Sequence, residues 1–178
     1  AVSLLNAQQE DGVEFKQRSI TMNGEEYKYA LHIPEGKKPE AGWPLVIFLH
    51  GAGERGSDGA KQTTVGIGPA IKAHPERFRC FVLMPQCRRG QWWTGHGMPE
   101  MMLTQLDAVL AEFPIDKDRV SLTGLSLGGY GTWMIGAQEI ERFSALGPVC
   151  GGGNKEDAPL LSHLPIWCFH GGADNVVP

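Results

Sequence analysis

The chain has 178 residues, 42% of them hydrophobic, which suits one compact domain over residues 1–178 with a sizeable core. A net charge of −4 offers no polycation to nucleic acid or to an anionic membrane surface, and no apolar run reaches the roughly 18 residues of a membrane span. Ala1-Val2-Ser3 shows neither an initiator Met nor a signal-like apolar stretch, so a mature or excised soluble chain is expected, with secretion one option for its compartment.

Two alternating polar–apolar runs, Phe15 to Met22 and Tyr27 to Ile33, flank Asn23-Gly24, a hairpin signal. A loop rich in Pro, Gly and Lys leads to Leu45-Val-Ile-Phe-Leu49, continuously apolar and therefore expected as a strand buried on both faces. A short helix around Pro69 to Ala73 and a strand from Cys80 to Met84 follow. Pro99 to Phe113 then sets Met102, Leu103, Leu106, Val109, Leu110 and Phe113 at helical spacing. Asp116 to Arg119 is expected to turn the chain into the next strand. Further strands are expected at Ala145 to Cys150 and Pro165 to Phe169. Strands alternating with helices after a hairpin imply a doubly wound, mostly parallel α/β sheet, with ligands at the carboxyl ends of its strands.

The four cysteines and six histidines form no zinc or redox spacing, so no metal and no cofactor is expected. Buried thiols are the expected state. Cys80 and Cys87 stand too far apart along one extended run to bridge, while other pairings stay open.

Chemistry concentrates at three strand ends. Val120 to Gly131 reads as a strand, a sharp turn and a helix, with Ser126 between Gly124 and Gly128; Gly-x-Ser-x-Gly lifts a serine hydroxyl clear of the sheet at a helix N-terminus. His50-Gly-Ala-Gly-Glu-Arg-Gly56 and His170-Gly-Gly-Ala-Asp174 end two other strands. The first also satisfies Gly-x-Gly-x-x-Gly, but turn-like residues follow it where a dinucleotide site needs a helix, and the next strand ends Met84-Pro-Gln86 without an acidic residue for a ribose.

In these motifs, their order and their spacing, the stretch from Phe15 to Pro178 resembles the α/β-hydrolase superfamily, in particular its polyhydroxybutyrate depolymerase, feruloyl esterase and phospholipase/carboxylesterase group. The resemblance implies Ser126 as nucleophile, Asp174 as triad acid, and the main-chain N–H groups of Ala52 and Leu127 as oxyanion hole. It implies a serine carboxylesterase acting through an acyl-enzyme on small or short-chain acyl esters, aryl or feruloyl types among them, with a small-molecule substrate. A peptidase of the prolyl oligopeptidase type and an inactive hydrolase-fold binding protein stand as alternatives. Trp92 and Trp93, by strand polarity on the catalytic side, are candidates to line an acyl or alcohol pocket, the alternative being packing against neighbouring loops. Glu54 and Arg55 either pair structurally, the favoured reading, or contact a polar substrate.

The superfamily places its histidine after the acid, and none follows Asp174 here. His50 belongs to the oxyanion-loop motif, His170 precedes the acid, and His32, His74, His96 and His163 match no triad position. The histidine is therefore expected outside these 178 residues, in a segment past Pro178 or on a second chain. The fold would accordingly lack its C-terminal helix-strand-helix, leaving Ile166 to Phe169 at an open sheet edge.

Overall fold

The computed structural model of the protein describes residues 13–177; the expectations for Ala1-Val2-Ser3 and for Pro178 lie outside that range. Strands β1 (Lys16–Met22) and β2 (Glu25–His32) form the expected hairpin, Met22 pairing with Glu25. Asn23 and Gly24 both take positive φ, 54° and 81°, the conformation that twists a two-residue turn with its strands. The sheet continues with β3 (Trp43–Leu49), β4 (Phe81–Pro85), β5 (Ile115–Leu125) and β6 (Ala145–Val149). Their spatial order is β1-β2-β4-β3-β5-β6. β2 runs antiparallel to β4, whereas β3, β4, β5 and β6 are mutually parallel.

The apolar runs of β3 and β4 are continuous because both faces of the sheet are covered. Leu45, Ile47, Leu49, Phe81 and Leu83 point into a core shared with α2 (Met98–Glu112) and α3 (Leu127–Gln138). The alternate residues Phe48, Val82 and Met84 pack on the opposite face against Ile71 of α1 (Ile67–Ala73). This is the period of two expressed as two cores. Gly97, with φ 82°, and Pro99 in the first turn start α2. Its buried stripe runs Met98, Met101, Met102, Gln105, Leu106 and Val109, one turn nearer the N-terminus than the periodicity suggested. Gln105 enters that stripe because its amide N–H reaches the carbonyl of Tyr27.

Two expectations are modified. Asp116 to Arg119 lies within β5: Trp43 pairs with Ile115 and Leu45 with Val120, so three extra residues bulge out between the two pairs. The turn chemistry survives inside the strand, since Asp116 accepts from the Asp118 N–H and from Arg119, whose guanidinium also reaches the carbonyl of Gly42. Pro165 to Phe169 is not a full strand but two parallel bridges, Leu146 with Ile166 and Val149 with Phe169. It is hydrogen-bonded to β6 on one side, and its Trp167 and Phe169 are 73% and 46% exposed. A short helix, α4 (Ala158–Leu161), precedes it. No described helix is long and apolar enough to cross a membrane.

Candidate active site

β5 ends at Leu125 and α3 begins at Leu127, so Ser126 alone makes the turn between them. It does so at φ 53°, ψ −114°, a sparsely populated conformation for a residue with a side chain, which the surroundings must hold in place. They do so by close approach. A Cβ on Gly124 would lie 2.5 Å from the carbonyl oxygen of Gly128, and one on Gly128 would lie 1.9 Å from that of Leu49. Both glycines of Gly-x-Ser-x-Gly are thus required by main chain packed on main chain. The Ser126 N–H is fixed to the carbonyl of Val149, one strand across.

The loop leaving β3 lies beside this elbow. His50 is fully buried, and Ala52–Glu54 forms a single 3-10 turn, with no α-helix opening inside Gly51 to Gly56. Ala52 and Leu127 are the first residues of their helices, so their N–H groups have no intrahelical acceptor. The Cys87 N–H donates to His50 Nε2 at 2.9 Å; Nδ1 therefore carries the ring hydrogen and donates it to the carbonyl of Gly51 at 2.6 Å. Burial pushes the His50 pKa down to about 4, with Arg55 and Lys61 adding to the depression against the bond to Gly51. His50 is therefore a neutral structural residue at ordinary pH. Arg55 binds the carbonyls of Ala52 and Gln91, a structural role carried by main-chain partners and not by Glu54.

Asp174 stands on the loop after Phe169, which is bridged to β6, itself beside β5. Its Oδ1 accepts from the N–H groups of Val176 and Val177, and these bonds hold the carboxyl below the usual carboxylate range. Oδ2 lies 3.7 Å from His170 Nε2, which donates to the carbonyl of Val177. Among the described residues, none of the hydrogen bonds made by His32, His50 or His170 reaches Ser126.

The two adjacent indoles part company. Trp92 is 54% exposed, whereas Trp93 is fully buried. The expectation that Trp93 lines a pocket is corrected: its Nε1 donates to the carbonyl of His50 at 2.9 Å, its ring meets the His50 imidazole edge-on, and its Cβ would be 2.6 Å from one placed on Gly131 of α3. Packing against a neighbouring loop, the alternative weighed from the sequence, is what the indole does. The expectation of buried thiols is likewise met by Cys87 but not by Cys168, which is exposed because the segment carrying it has one strand neighbour. All four cysteines are free.

Sequence reasoning passed over a cavity of ≈ 510 Å³ along α3, walled by Tyr130, Trp133 and Met134 and by Gly152 and Asn154 after β6. Its signal was the spacing of Tyr130, Trp133 and Met134, three and four residues apart on one face of α3.

No protein-family model matches the chain. It is 26% identical over 166 residues to a probable feruloyl esterase C of Aspergillus terreus, covering 88% of this chain and 57% of that protein. It is 27% identical over 157 residues to a poly(3-hydroxyalkanoate) depolymerase C of Paucimonas lemoignei, covering 81% and 35% respectively. Among solved structures, a thermostable esterase superposes with a TM-score of 0.80 at 37% identity, covering 92% of this chain and 48% of that one. The chain thus spans between about a third and just over half of the length of these relatives. With its parallel sheet and antiparallel hairpin, its serine elbow between β5 and α3, and these relatives, the chain is an α/β-hydrolase by fold, similar to esterases of that fold.

Proposed function

We propose that the chain is the nucleophile-bearing part of a serine carboxylesterase. The observation that carries the reading is Ser126 at φ 53° on the turn into α3, a strained placement with no packing purpose that keeps a hydroxyl at a positive helix end. Ser126 Oγ attacks the ester carbonyl as an imidazole takes its proton. The N–H groups of Leu127 and Ala52 receive the developing oxyanion as a preorganised main-chain pair; in holes that use a side-chain donor, losing it typically costs about 3 kcal/mol of barrier. The alcohol leaves with a proton delivered by an imidazole, and water then releases the acid from the acyl-enzyme with the same imidazole as base.

Asp174 orients that imidazole. Its low pKa keeps it ionised, and Oδ1 is already held by two N–H groups, leaving Oδ2 for the ring. The ring itself is proposed to come from outside residues 1–178, on a further segment or a second chain, because His50 and His170 are committed elsewhere. The substrate is a small-molecule ester with a short or aromatic acyl group. Trp92 is its proposed contact, and the cavity along Tyr130 and Trp133 offers space a turn of helix away from Ser126.

The test is a fluorophosphonate probe on the whole protein, with the adduct located by mass spectrometry, and rates on p-nitrophenyl acetate, methyl ferulate and a proline p-nitroanilide. A Ser126 adduct and ester turnover that exceeds amide turnover are expected. Preference for the anilide would favour the peptidase, and no adduct would favour a binding protein.

A further inference from the structure

The two proposed oxyanion donors, Ala52 and Leu127, are main-chain groups on different elements, so no side chain of their own sets the distance between them. Something must fix the loop after β3 against α3. The loop is stitched to the segment leaving β4: the Gly56 N–H donates to the carbonyl of Cys87, the Gln86 amide donates to the carbonyl of Glu54, and Arg55 reaches the carbonyl of Gln91. Those bonds reference the loop to β4, not to α3. Trp93 spans the remaining interval. One end of its indole donates to the carbonyl of His50, two residues before Ala52, while its inner atoms rest where Gly131 leaves room, four residues after Leu127 on the same helix. Trp93 and His50 are both fully buried.

We propose that Trp93 is a positioning residue whose indole sets the spacing between the Ala52 and Leu127 N–H groups and so tunes the oxyanion hole. The inference rests on the esterase reading above and adds to it a residue that touches no substrate. A rigid ring suits the task. It has two side-chain torsions, both fixed by packing, and a single donor whose direction follows the ring plane. Loss of the N–H leaves the His50 carbonyl buried without that partner, and the carbonyl turns toward another donor, carrying Gly51 and Ala52 with it.

The test replaces Trp93 by Phe and, separately, by the isosteric 3-benzothienylalanine, which keeps the ring shape and removes only the donor. In the whole protein both variants are expected to lower kcat per titrated active site by about 10- to 100-fold, with KM within about twofold. Affinity for a boronic acid transition-state analogue should fall by the same factor. A residue that merely fills the core would lower the melting temperature and the fraction of titratable sites but leave kcat per site and analogue affinity unchanged, and that result would overturn the proposal. Amide hydrogen exchange supplies an arm independent of turnover: exchange at Gly51 to Arg55 should quicken in the benzothienyl variant while the β4 amides stay as in wild type. If wild type shows no Ser126-dependent hydrolysis, the esterase reading fails, and the exchange arm still decides whether Trp93 holds the loop; unchanged exchange there sinks the positioning role.

Discussion

The carbonyl oxygen of Leu49 and the α-carbon of Gly128 are so closely apposed that a methyl group built on Gly128 would stand 1.9 Å from the oxygen. The end of β3 and the start of α3 are thereby locked together, and with them the turn carrying Ser126. Main chain on both sides cannot yield as a flexible side chain would. Gly128→Ala should therefore destabilise the fold by about 3 kcal/mol, the upper part of the overpacking range. It should also slow Ser126 labelling by a fluorophosphonate at temperatures where the variant is folded. A urea midpoint equal to wild type would show that the contact relaxes freely.

Ser126 presents the opposite case, a residue whose side chain is costly where it stands. Ser126→Ala should abolish turnover, leaving less than about a thousandth of wild-type kcat, with little change in stability because Ala bears the same φ of 53°. Ser126→Gly should abolish turnover too, yet raise stability. Relief of positive-φ strain, about 1–3 kcal/mol, exceeds the roughly 0.5–1 kcal/mol entropy penalty of glycine in the unfolded chain. Paired denaturation curves for Ala and Gly at 126 decide it; a Gly variant less stable than the Ala variant would mean the turn is unstrained.

The adjacent indoles separate specificity from stability. Trp92→Ala should shift preference between acetyl and feruloyl esters by about 1–3 kcal/mol, the scale of a pocket contact, with the urea midpoint unchanged. Trp93→Ala should instead destabilise by about 3–5 kcal/mol, the range for a large aromatic removed from a core. Equal effects of the two on stability, with no change of preference for Trp92→Ala, would remove Trp92 from the substrate site.

The two tryptophans also mark where the sequence stops being legible. Local chemistry was readable: Asn23-Gly24 announced a hairpin, the apolar runs of β3 and β4 announced a doubly covered sheet, and Gly124 and Gly128 announced a turn too tight for side chains. What decides between Trp92 and Trp93 is not local. Trp93 turns inward because Gly131, on a helix three elements later, leaves room for it and because the carbonyl of His50 needs a donor. Neither fact is written near position 93. The bulge at Asp116 to Arg119 is similar: the residues read as a turn, and only their pairing with Trp43 and Leu45 shows that the turn sits inside a strand.

His50 gives the pH dependence. Its folded pKa is lowered to about 4 by burial, whereas in the unfolded chain it returns to its ordinary value of 6.5. The unfolded state therefore binds the proton first as pH falls, and the contribution of neutral His50 is complete above pH 6.5 and lost between 6.5 and 4. The loss is on the order of 3 kcal/mol, since each pH unit separating the two pKa values is worth about 1.4 kcal/mol. Protonation would put a hydrogen on Nε2 facing the Cys87 N–H, donor against donor, which is why the fold resists it. His32 is also depressed by burial, against pulls from the carbonyl of Phe78 and from Glu35, so it adds to the slope in the same direction. Asp58, Asp116 and Asp174 have lowered carboxylate values and lose their contributions only below about pH 4. His50→Gln isolates the His50 share: the amide has no proton to gain in this range, so the variant should be less stable than wild type at about pH 7 while its urea midpoint falls less between about pH 6.5 and 4.5. Parallel midpoint-against-pH curves for the two proteins would mean that the His50 ring is not held neutral between Cys87 and Gly51.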